Sequence, residues 1–324
     1  MCTAITKKSL FGRTFDLDRS YGERAVVTPR GFGFSFLRDI TDSESLAMVG
    51  IGCVREGFPL YYDGMNEAGL CMAALNFPVS AKYLPPESGK LNMASFEVIP
   101  RVLGFCRTLD EALELVGKMN ITPDSFSDEL PPTPLHWVIS QEGRTAVVEA
   151  TERGMEIYED QIGVLTNEPP FPTQISILSN FSGLSPYPPR SGWLPQTVIP
   201  YGNGTGAVGL PGDFSSSSRF VRAAYLLGNV AESEDDRELS RFFHITDSVN
   251  IPEGCVINEN GKPMTTRYTV CYDTAERECF FTTAENRRIR RIPSELFNMP
   301  SLTGIEIYGK EDIESVVPTP CEGK

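Results

Sequence analysis

The second residue, a cysteine, is the side chain of this sequence best placed for nucleophilic chemistry. Cys2 follows Met1 directly, and an initiator methionine is normally removed when the next residue is small. The mature chain can then begin with a residue that carries both a thiol and a free α-amino group. The reference pKa is about 8.5 for the thiol and about 7.7–8.0 for the α-amino group. The amine can accept the thiol proton and later donate a proton to a leaving amine. Such a site needs no histidine as its base.

An arginine and an aspartate follow at a spacing that returns them toward the cysteine. Arg13 and Asp16 lie in the run Phe11–Asp16, and a β-hairpin of that length places Arg13 beside Cys2. An arginine there favours the thiolate, and Asp16 can hydrogen-bond the α-ammonium. The same spacing also fits a surface Arg–Asp pair of little energetic value.

The remaining cysteines and the histidines indicate structural roles. None of the eight cysteines forms a Cys-x-x-Cys pair, so a zinc ribbon is not expected, and most lie in apolar runs typical of buried thiols. His136 and His244 each lie beside aromatic residues and outside any metal-ligand spacing, so we expect both to be hydrogen-bonded core residues. No metal or organic cofactor is predicted.

Composition and charge limit the classes of partner. The 324 residues include 29 Lys and Arg against 43 Asp and Glu, a formal net charge of −14. This acidic balance argues against nucleic acid, which requires a basic face. No apolar run reaches the roughly 18 residues of a membrane span, and the first residues lack the apolar core of a secretory signal. We therefore predict a cytoplasmic protein that does not bind membranes.

Hairpin signals join consecutive strand-like runs, and helical patterns are segregated between them. Helices are predicted over 94–104, where Pro100 could break the run, over 108–116 behind a capping box at Thr108, and at Ser218–Leu227 and Asp236–Phe243. The predicted strands are Cys2–Ile5, Ala25–Thr28, Ala47–Cys53, Leu60–Asp63, Leu70–Leu75, Leu135–Ser140, Thr145–Ala150, Met155–Tyr158, Gly163–Thr166, Tyr268–Tyr272, Glu278–Thr283 and Ile305–Tyr308. This order predicts an α+β fold with antiparallel sheets in one domain over 1–324. Residues 181–214 form a loop rich in Pro, Gly and Ser, typical of a functional or assembly segment.

Ordered sequence blocks in this chain resemble those of the choloylglycine hydrolase family, which contains bile salt hydrolases and penicillin V acylases of the N-terminal-nucleophile superfamily. The blocks are Met1–Thr3, Phe11–Asp16, Thr28–Arg30, Asp63–Leu70, Ala74–Pro78, Val164–Pro169, Gly209–Phe214 and Ser218–Phe220. Each block alone is a weak signal, but together they occur in the family's order over residues 1 to 250.

The resemblance implies a fold, a reaction and a set of site residues. The fold would be a four-layer αββα sandwich of two antiparallel sheets, and the reaction the hydrolysis of a linear amide through a thioester. By matching positions, Cys2 would be the nucleophile, Arg13 and Asp16 would support it, and Asn76 and Asn167 would form the oxyanion site. Arg219 would orient the cysteine, and the 181–214 loop would belong to a homotetramer interface. An asparagine at the end of a strand is otherwise more often a turn former.

The resemblance leaves the substrate open between two classes. Conjugated bile salts and penicillin V both pair a bulky apolar acyl part with an amide, and both need a largely apolar pocket. Asn76 stands where the family's bile salt hydrolases tend to carry Asn, and Arg13 or Arg219 could supply positive charge for the anionic conjugate. The segment His244–Gly254 is closer to the penicillin V acylases. The sequence is also compatible with an acyl-homoserine lactone acylase and with a catalytically inactive binding homologue.

Overall fold

Two antiparallel β-sheets lie face to face in the computed structural model, which describes residues 1–39, 44–189, 202–231, 238–311 and 313. The strands in chain order are β1 (Cys2–Lys7), β2 (Leu10–Leu17), β3 (Arg24–Thr28), β4 (Met48–Arg55), β5 (Phe58–Asn66), β6 (Cys71–Asn76), β7 (Leu91–Ala94), β8 (Met119–Thr122), β9 (Leu135–Gln141), β10 (Arg144–Thr151), β11 (Gly154–Glu159), β12 (Val164–Leu165), β13 (Val256–Ile257), β14 (Pro263–Asp273), β15 (Glu278–Thr283), β16 (Arg290–Ile292) and β17 (Thr303–Glu306). The α-helices are α1 (Val98–Phe105), α2 (Leu109–Gly117), α3 (Phe171–Leu178), α4 (Ser216–Asn229) and α5 (Glu238–Asp247).

The first sheet has the strand order β12-β1-β2-β14-β15-β16, with β13 also paired to β14, and the second has the order β11-β10-β9-β6-β5-β4-β3-β17. Short β7 and β8 form a separate parallel pair. One apolar core fills the space between the sheets, where Ala4 and Phe11 of the first face Ile51 and Met65 of the second. Non-polar side chains from both inner faces exclude water there, and this burial is the main stabilising contribution of the sandwich.

Helices cover the outer face of each sheet. Phe220 of α4 and Phe242 of α5 are buried on the first sheet, and Val102 of α1 and Ala112 of α2 are buried in a second core on the other sheet. The four layers are therefore helix, sheet, sheet and helix, which confirms the αββα fold expected from the resemblance.

Most of the helices form as their local signals predict. The Thr108 side chain accepts a hydrogen bond from the Glu111 nitrogen, and the Glu111 side chain accepts one from the Thr108 nitrogen, so the pair forms a capping box at the start of α2. The Ser215 side chain caps α4 by accepting from the Ser218 nitrogen. Pro100 does not break the helix, because it lies in the first turn of α1, where its missing N–H has no intrahelical acceptor. The first two residues of the helix predicted at Asp236–Phe243 lie outside the described residues, and α5 begins at Glu238.

The run from Asp63 to Gly69, with an Asp-Gly pair and a later glycine, predicts a hairpin between the strands on either side, and β5 and β6 do pair in this way. The turn, however, does not lie at the Asp-Gly pair. Asp63 and Gly64 lie inside β5, and the chain turns only after Asn66, whose Oδ1 accepts from the nitrogens of Ala68 and Leu70 at 3.0 and 3.1 Å. The asparagine side chain replaces turn hydrogen bonds here, so the strand is longer than expected. The consequence is that Asp63 is directed into the core of the sandwich.

Helix α3 and the β7–β8 pair were not predicted. Helix α3 starts immediately after Pro170 and has Pro172 in its first turn, a position that suits proline but that the sequence pattern presents as a loop. Part of the 181–214 loop, residues 190–201, lies outside the described residues. In the described part of the chain, no helix has the length and apolar character needed to cross a membrane.

Candidate active site

Cys2 begins the first strand and its side chain faces the core between the sheets. The residue is 3% exposed. A two-residue turn at Lys8 and Ser9, with Lys8 at a φ of 52°, returns the chain and fixes the register in which Cys2 lies opposite Phe15. The cysteine therefore has a fixed place that depends on this hairpin.

Arg13 contacts the cysteine sulfur, as its spacing predicted. It lies opposite Ala4, on the same face of the hairpin as Cys2, and its Nη2 donates to Cys2 Sγ. Its Nη1 donates to the main-chain oxygens of Tyr62 and Ala74 in the second sheet, and its guanidinium carbon lies 4.8 Å from the centre of the Phe15 ring. The guanidinium is thus clamped between the sheets with one donor aimed at sulfur.

The charge of Arg13 is maintained in this buried place. The residue is 0% exposed. Burial opposes its charge, but electrostatic interactions with neighbouring groups, first Cys2 and then Tyr268 and Asp63, raise the pKa of Arg13 above its ordinary value. A fully ionised guanidinium next to the sulfur favours the thiolate by direct Coulomb attraction. Its role in binding an anionic substrate stays a prediction.

Asp16 lies on the opposite, helix-covered face of the hairpin. Its carboxylate accepts from the hydroxyls of Thr14 at 3.3 Å and Thr266 at 2.7 Å, and its main chain pairs with Met1. Because Met1 is present, the Cys2 nitrogen is a peptide amide in this structure. The expected hydrogen bond from a free α-ammonium to Asp16 therefore stays a prediction.

Arg219 approaches the cysteine from the helix side. From the first turns of α4 it donates to the Cys2 oxygen at 2.5 Å and to Thr3 Oγ1 at 2.6 Å through Nη1, and its Nη1 lies 3.9 Å from Asp16 Oδ2. Burial lowers the pKa of Arg219, whereas the charges of Asp16 and Cys2 act in the opposite direction. These contacts fix the main chain of Cys2, and the orienting role expected for this arginine stays a prediction.

Asn167 connects the nitrogen of the cysteine to this arginine. It follows β12, and its Oδ1 accepts from the Cys2 nitrogen at 2.9 Å and from Arg219 Nη2 at 2.7 Å. Its Nδ2 donates to the main-chain oxygen of Asn76 at 2.8 Å. An amide nitrogen carries two hydrogens, so one hydrogen of Asn167 holds Asn76 and one is left for another acceptor.

Asn76 ends strand β6 at the edge of the same cluster. Asn76 is half-buried, and its main-chain oxygen accepts a hydrogen bond from Asn167 Nδ2. Among the described residues, none of the hydrogen bonds involves its side-chain amide. The six residues expected from the sequence, Cys2, Arg13, Asp16, Asn76, Asn167 and Arg219, therefore meet around one cysteine, although they come from five separate parts of the chain.

Histidine is not the partner of this cysteine in the described structure. His136 is 0% exposed and stacks on Phe77 with ring centres 4.3 Å apart. Its two ring nitrogens face Glu149 Oε1 at 3.2 Å and the Thr166 oxygen at 2.9 Å. The structural role predicted for it agrees with these contacts. His244 is exposed on α5, so placing it in the core was wrong.

A buried acidic group that the sequence reasoning did not single out for chemistry lies behind Arg13. Asp63 accepts from the hydroxyls of Tyr268 at 2.5 Å and Tyr272 at 2.6 Å, and its Oδ2 is 3.9 Å from Arg13 Nη1. Burial raises the pKa of Asp63, and Arg13 and the two hydroxyls act against that rise. The only local signal was an aspartate in a strand-like run, which the Asp-Gly pair obscured.

Two sheets between helix layers, with a cysteine at the start of the chain's first strand, define the N-terminal-nucleophile hydrolase fold. The family model of linear amide C–N hydrolases, choloylglycine hydrolase family, matches residues 2–306. The chain belongs to this family and is an amidase that acts on linear amide C–N bonds. The family expected from the sequence blocks is confirmed.

Individual relatives agree with this assignment. A bile salt hydrolase/transferase from Lactiplantibacillus plantarum is 38% identical over 297 residues, which cover 90% of this chain and 92% of that protein. The crystal structure of a Cys-to-Ala mutant of conjugated bile acid hydrolase from Clostridium perfringens has a TM-score of 0.90 at 30% identity, covering 98% of this chain and 100% of the other. A penicillin V acylase from Agrobacterium tumefaciens shares the fold, with a TM-score of 0.69 at 23% identity over 90% of this chain and 86% of its own.

Proposed function

We propose that this chain hydrolyses the amide bond of bile acids conjugated to glycine or taurine, with Cys2 as an N-terminal nucleophile after Met1 is removed. The observation that carries the proposal is that both reactive atoms of Cys2 are held by polar side chains. Arg13 donates to its sulfur, and Asn167 Oδ1 accepts from its nitrogen at 2.9 Å. A nucleophile and its base must be fixed relative to each other in this way.

The first half of the reaction transfers the acyl group to sulfur. The α-amine takes the thiol proton, and the sulfur of Cys2 attacks the amide carbonyl to form a C–S bond. As the tetrahedral intermediate collapses, the α-ammonium gives its proton to the substrate nitrogen, the C–N bond breaks and glycine or taurine leaves. Arg13 favours the anionic sulfur before the attack, and Arg219 holds the main chain that carries both groups.

The second half returns the enzyme to its starting state. The α-amine takes a proton from water, whose oxygen attacks the thioester carbonyl. The C–S bond then breaks, free bile acid leaves, and the sulfur of Cys2 recovers its proton from the α-ammonium. No group other than water is consumed.

Each half passes through an oxyanion that needs hydrogen-bond donors. We assign this role to the side-chain amides of Asn76 and Asn167. Asn167 Nδ2 donates to the main-chain oxygen of Asn76 at 2.8 Å, which holds the two residues next to each other. One good donor of this type stabilises the transition state by about 2.7–4 kcal/mol. Asn76 ends strand β6 of the second sheet and Asn167 follows strand β12 of the first. Their relative position therefore depends on how the two sheets pack.

The choice of bile salts as substrates rests on the relatives and on Asn76. The relatives with 38% and 30% identity are named for bile salts or conjugated bile acids, whereas the similarity to the penicillin V acylase supports the fold alone. In the family pattern, asparagine at position 76 favours bile salts. Penicillin V and acyl-homoserine lactones are therefore the competing substrates in the test.

The proposal is tested by measuring amine release from glycocholate, taurocholate and penicillin V side by side with the mature enzyme. We expect kcat/KM for at least one conjugated bile salt to exceed that for penicillin V, and Cys2→Ala to release no amine while its circular dichroism spectrum is unchanged. A higher kcat/KM for penicillin V would contradict the substrate class. Turnover by Cys2→Ala would contradict the nucleophile.

The assembly and the location are part of the same proposal. We propose a single domain over 1–324 that forms a cytoplasmic homotetramer, with residues 181–214 in its interface, as the family resemblance implies. Light scattering after size exclusion should give four times the 35.8 kDa of one chain. A monomeric mass for the active enzyme would contradict the tetramer.

A further inference from the structure

Asp63 is a fully buried carboxylate that the proposed chemistry does not use. It is 0% exposed, and its Oδ2 lies 3.9 Å from Nη1 of Arg13. The other nitrogen of that guanidinium donates to the sulfur of Cys2. Asp63 and the sulfur therefore contact the same cation from two sides.

A β-bulge directs this carboxylate to the arginine. The pairing of β4 with β5 shifts so that Ile51 lies opposite Asp63 but Gly52 lies opposite Tyr61, which leaves Tyr62 as the extra residue. As a result of this bulge, Tyr62 and Asp63 both face the first sheet. Their contacts there show this: the ring of Tyr62 stacks on that of Phe15 with centres 4.8 Å apart, and Asp63 accepts a hydrogen bond from Tyr268. Bulges that re-aim side chains are common beside active sites.

The strand next to Arg13 supplies both hydroxyls that hold Asp63. In β14, Val270 pairs with Arg13, and Tyr268 and Tyr272 stand two residues to either side on the same face. Their hydroxyls donate to Oδ2 and Oδ1 of Asp63 at 2.5 and 2.6 Å. Both carboxylate oxygens are therefore acceptors, which is the pattern of an ionised carboxylate.

The charges buried around Cys2 balance only when Asp63 is included. Two arginines, Arg13 and Arg219, face two aspartates, Asp16 and Asp63, and all four are 0% exposed. The titratable and charged groups that face Asp63 are Arg13 from β2, Tyr268 and Tyr272 from β14, and the thiols of Cys71 in β6 and Cys279 in β15. Only Arg13 among these is a cation, so the carboxylate acts on the cysteine chiefly through that guanidinium.

We propose that Asp63 is a positioning residue that holds the Arg13 guanidinium and offsets part of the positive charge acting on the Cys2 sulfur. The inference rests on the proposed function, in which Cys2 is the nucleophile. Without the carboxylate, Arg13 attracts the sulfur more strongly and the thiolate forms at lower pH. A thiolate stabilised in this way is a weaker nucleophile, because nucleophilicity falls with basicity. Asp63 thus keeps the thiolate reactive.

The test compares Asp63→Asn with the wild type, both with Met1 removed. The rate of Cys2 alkylation by iodoacetamide is measured against pH, with the labelled peptide identified by mass spectrometry. Asparagine preserves the shape of the side chain and can exchange hydrogen bonds with both tyrosines. We expect the midpoint of the profile to fall by about half a pH unit or more. We also expect kcat to fall while KM changes little, since Asp63 does not contact substrate.

Two further variants separate this role from a structural one. Tyr272→Phe removes one donor from the carboxylate and should shift the midpoint in the same direction by a smaller amount, which keeps the inference testable if Asp63→Asn does not fold. Tyr61→Phe is the matched control, because Tyr61 lies on the outer side of the same strand with its hydroxyl 2.7 Å from Thr28 Oγ1. It should leave the midpoint unchanged.

The results for the two claims can be told apart. If Asp63→Asn folds, a midpoint of its alkylation profile that stays in place or rises would overturn the role of Asp63. If only Tyr272→Phe folds, an unchanged midpoint in that variant would overturn it. Alkylation of Cys2 that leaves wild-type hydrolysis intact would overturn the proposed function, and this inference with it.

Discussion

The side-chain oxygen of Asn167 lies 2.9 Å from the nitrogen of Cys2, although 165 positions separate the two residues. The same oxygen accepts from Arg219 at 2.7 Å, so the amide oxygen is held by a fixed cation while it holds the cysteine. The contact supports a second proposed role for Asn167 besides the proposed oxyanion site, namely the orientation of the Cys2 nitrogen.

Replacing Asn167 with alanine should therefore damage the chemical step more than substrate binding. The variant loses both the acceptor on the Cys2 nitrogen and one donor to the oxyanion, and we expect kcat to fall by about 100-fold or more. Steady-state kinetics with a conjugated bile salt should show this fall with KM changed only a few-fold. A loss carried mainly by KM would indicate that Asn167 binds substrate instead.

Arg219→Met should lower both stability and activity. The substitution leaves the carboxylate of Asp16 buried without the cation 3.9 Å away, and removal of one partner from a buried pair costs about 3–5 kcal/mol. Urea unfolding at neutral pH should show this loss in the free energy of unfolding. At urea concentrations below the unfolding transition, where the variant is folded, kcat should still be strongly reduced.

The matched control for this experiment is Arg222→Met, one turn further along α4. Arg222 donates to main-chain oxygens of Ser248 and Pro211 at 2.8 and 2.6 Å. Among the described residues it forms no ion pair, and the carboxylate of Asp213 acts on its charge only at longer range. Its loss should destabilise the fold but leave the kcat of the folded enzyme near the wild-type value. Equal kcat losses in the two variants would show that Arg219 acts through stability alone.

Asn76→Tyr should change which substrate is preferred. The half-buried Asn76 ends β6 beside Asn167, so a larger side chain there alters the space next to the reacting carbonyl. We expect the ratio of conjugated bile salt to penicillin V turnover to fall. The assay is amine release from both substrates by one preparation, and an unchanged ratio would show that this position does not set selectivity.

The sequence predicted the cysteine and its two hairpin neighbours because these three residues are close in the chain and their chemistry is local. Asn76, Asn167 and Arg219 came from the family resemblance instead. Their positions depend on strand ends and a helix start that meet only in the tertiary fold. Local propensity carries no record of such meetings, so an asparagine after a strand is indistinguishable from a turn former.

Asp63 was missed for a related reason. The Asp-Gly pair has strong turn propensity, but the register of β4 and β5 keeps it inside a strand and the bulge at Tyr62 turns it inward. The α+β class with antiparallel sheets, by contrast, followed from hairpin signals and segregated helices that many residues specify together, whereas the four-layer αββα arrangement was implied by the family resemblance. Features encoded by many residues were predictable, and those set by one irregularity were not.

Asp160 should make stability depend on pH in a direction opposite to that of most carboxylates. Burial raises the pKa of Asp160 to about 6, against hydrogen bonds from the nitrogens of Gly163 and Ile162. Between about pH 4 and 6 the folded chain thus binds a proton that the unfolded chain has released. The free energy of unfolding therefore falls as pH rises through this window, by about 1–3 kcal/mol.

Asp160→Asn removes this contribution, so its free energy of unfolding should fall less between pH 4 and 6 than that of the wild type. The comparison is made by urea unfolding at several pH values. Asp124→Asn is the control of opposite sign, because Arg38 lowers the pKa of Asp124 to about 2, and the stability from that pair is lost as pH falls. Parallel profiles for the wild type and Asp160→Asn would contradict the account of Asp160.

The central claim is that the nitrogen of Cys2 must be a free amine. The most direct test is a chain with an N-terminal extension that a site-specific protease removes so that Cys2 becomes the first residue. Intact mass and glycocholate or taurocholate hydrolysis are measured on one sample before and after cleavage. We predict no turnover before cleavage and turnover that rises in proportion to the cleaved mass. Full turnover by the extended chain would contradict the claim.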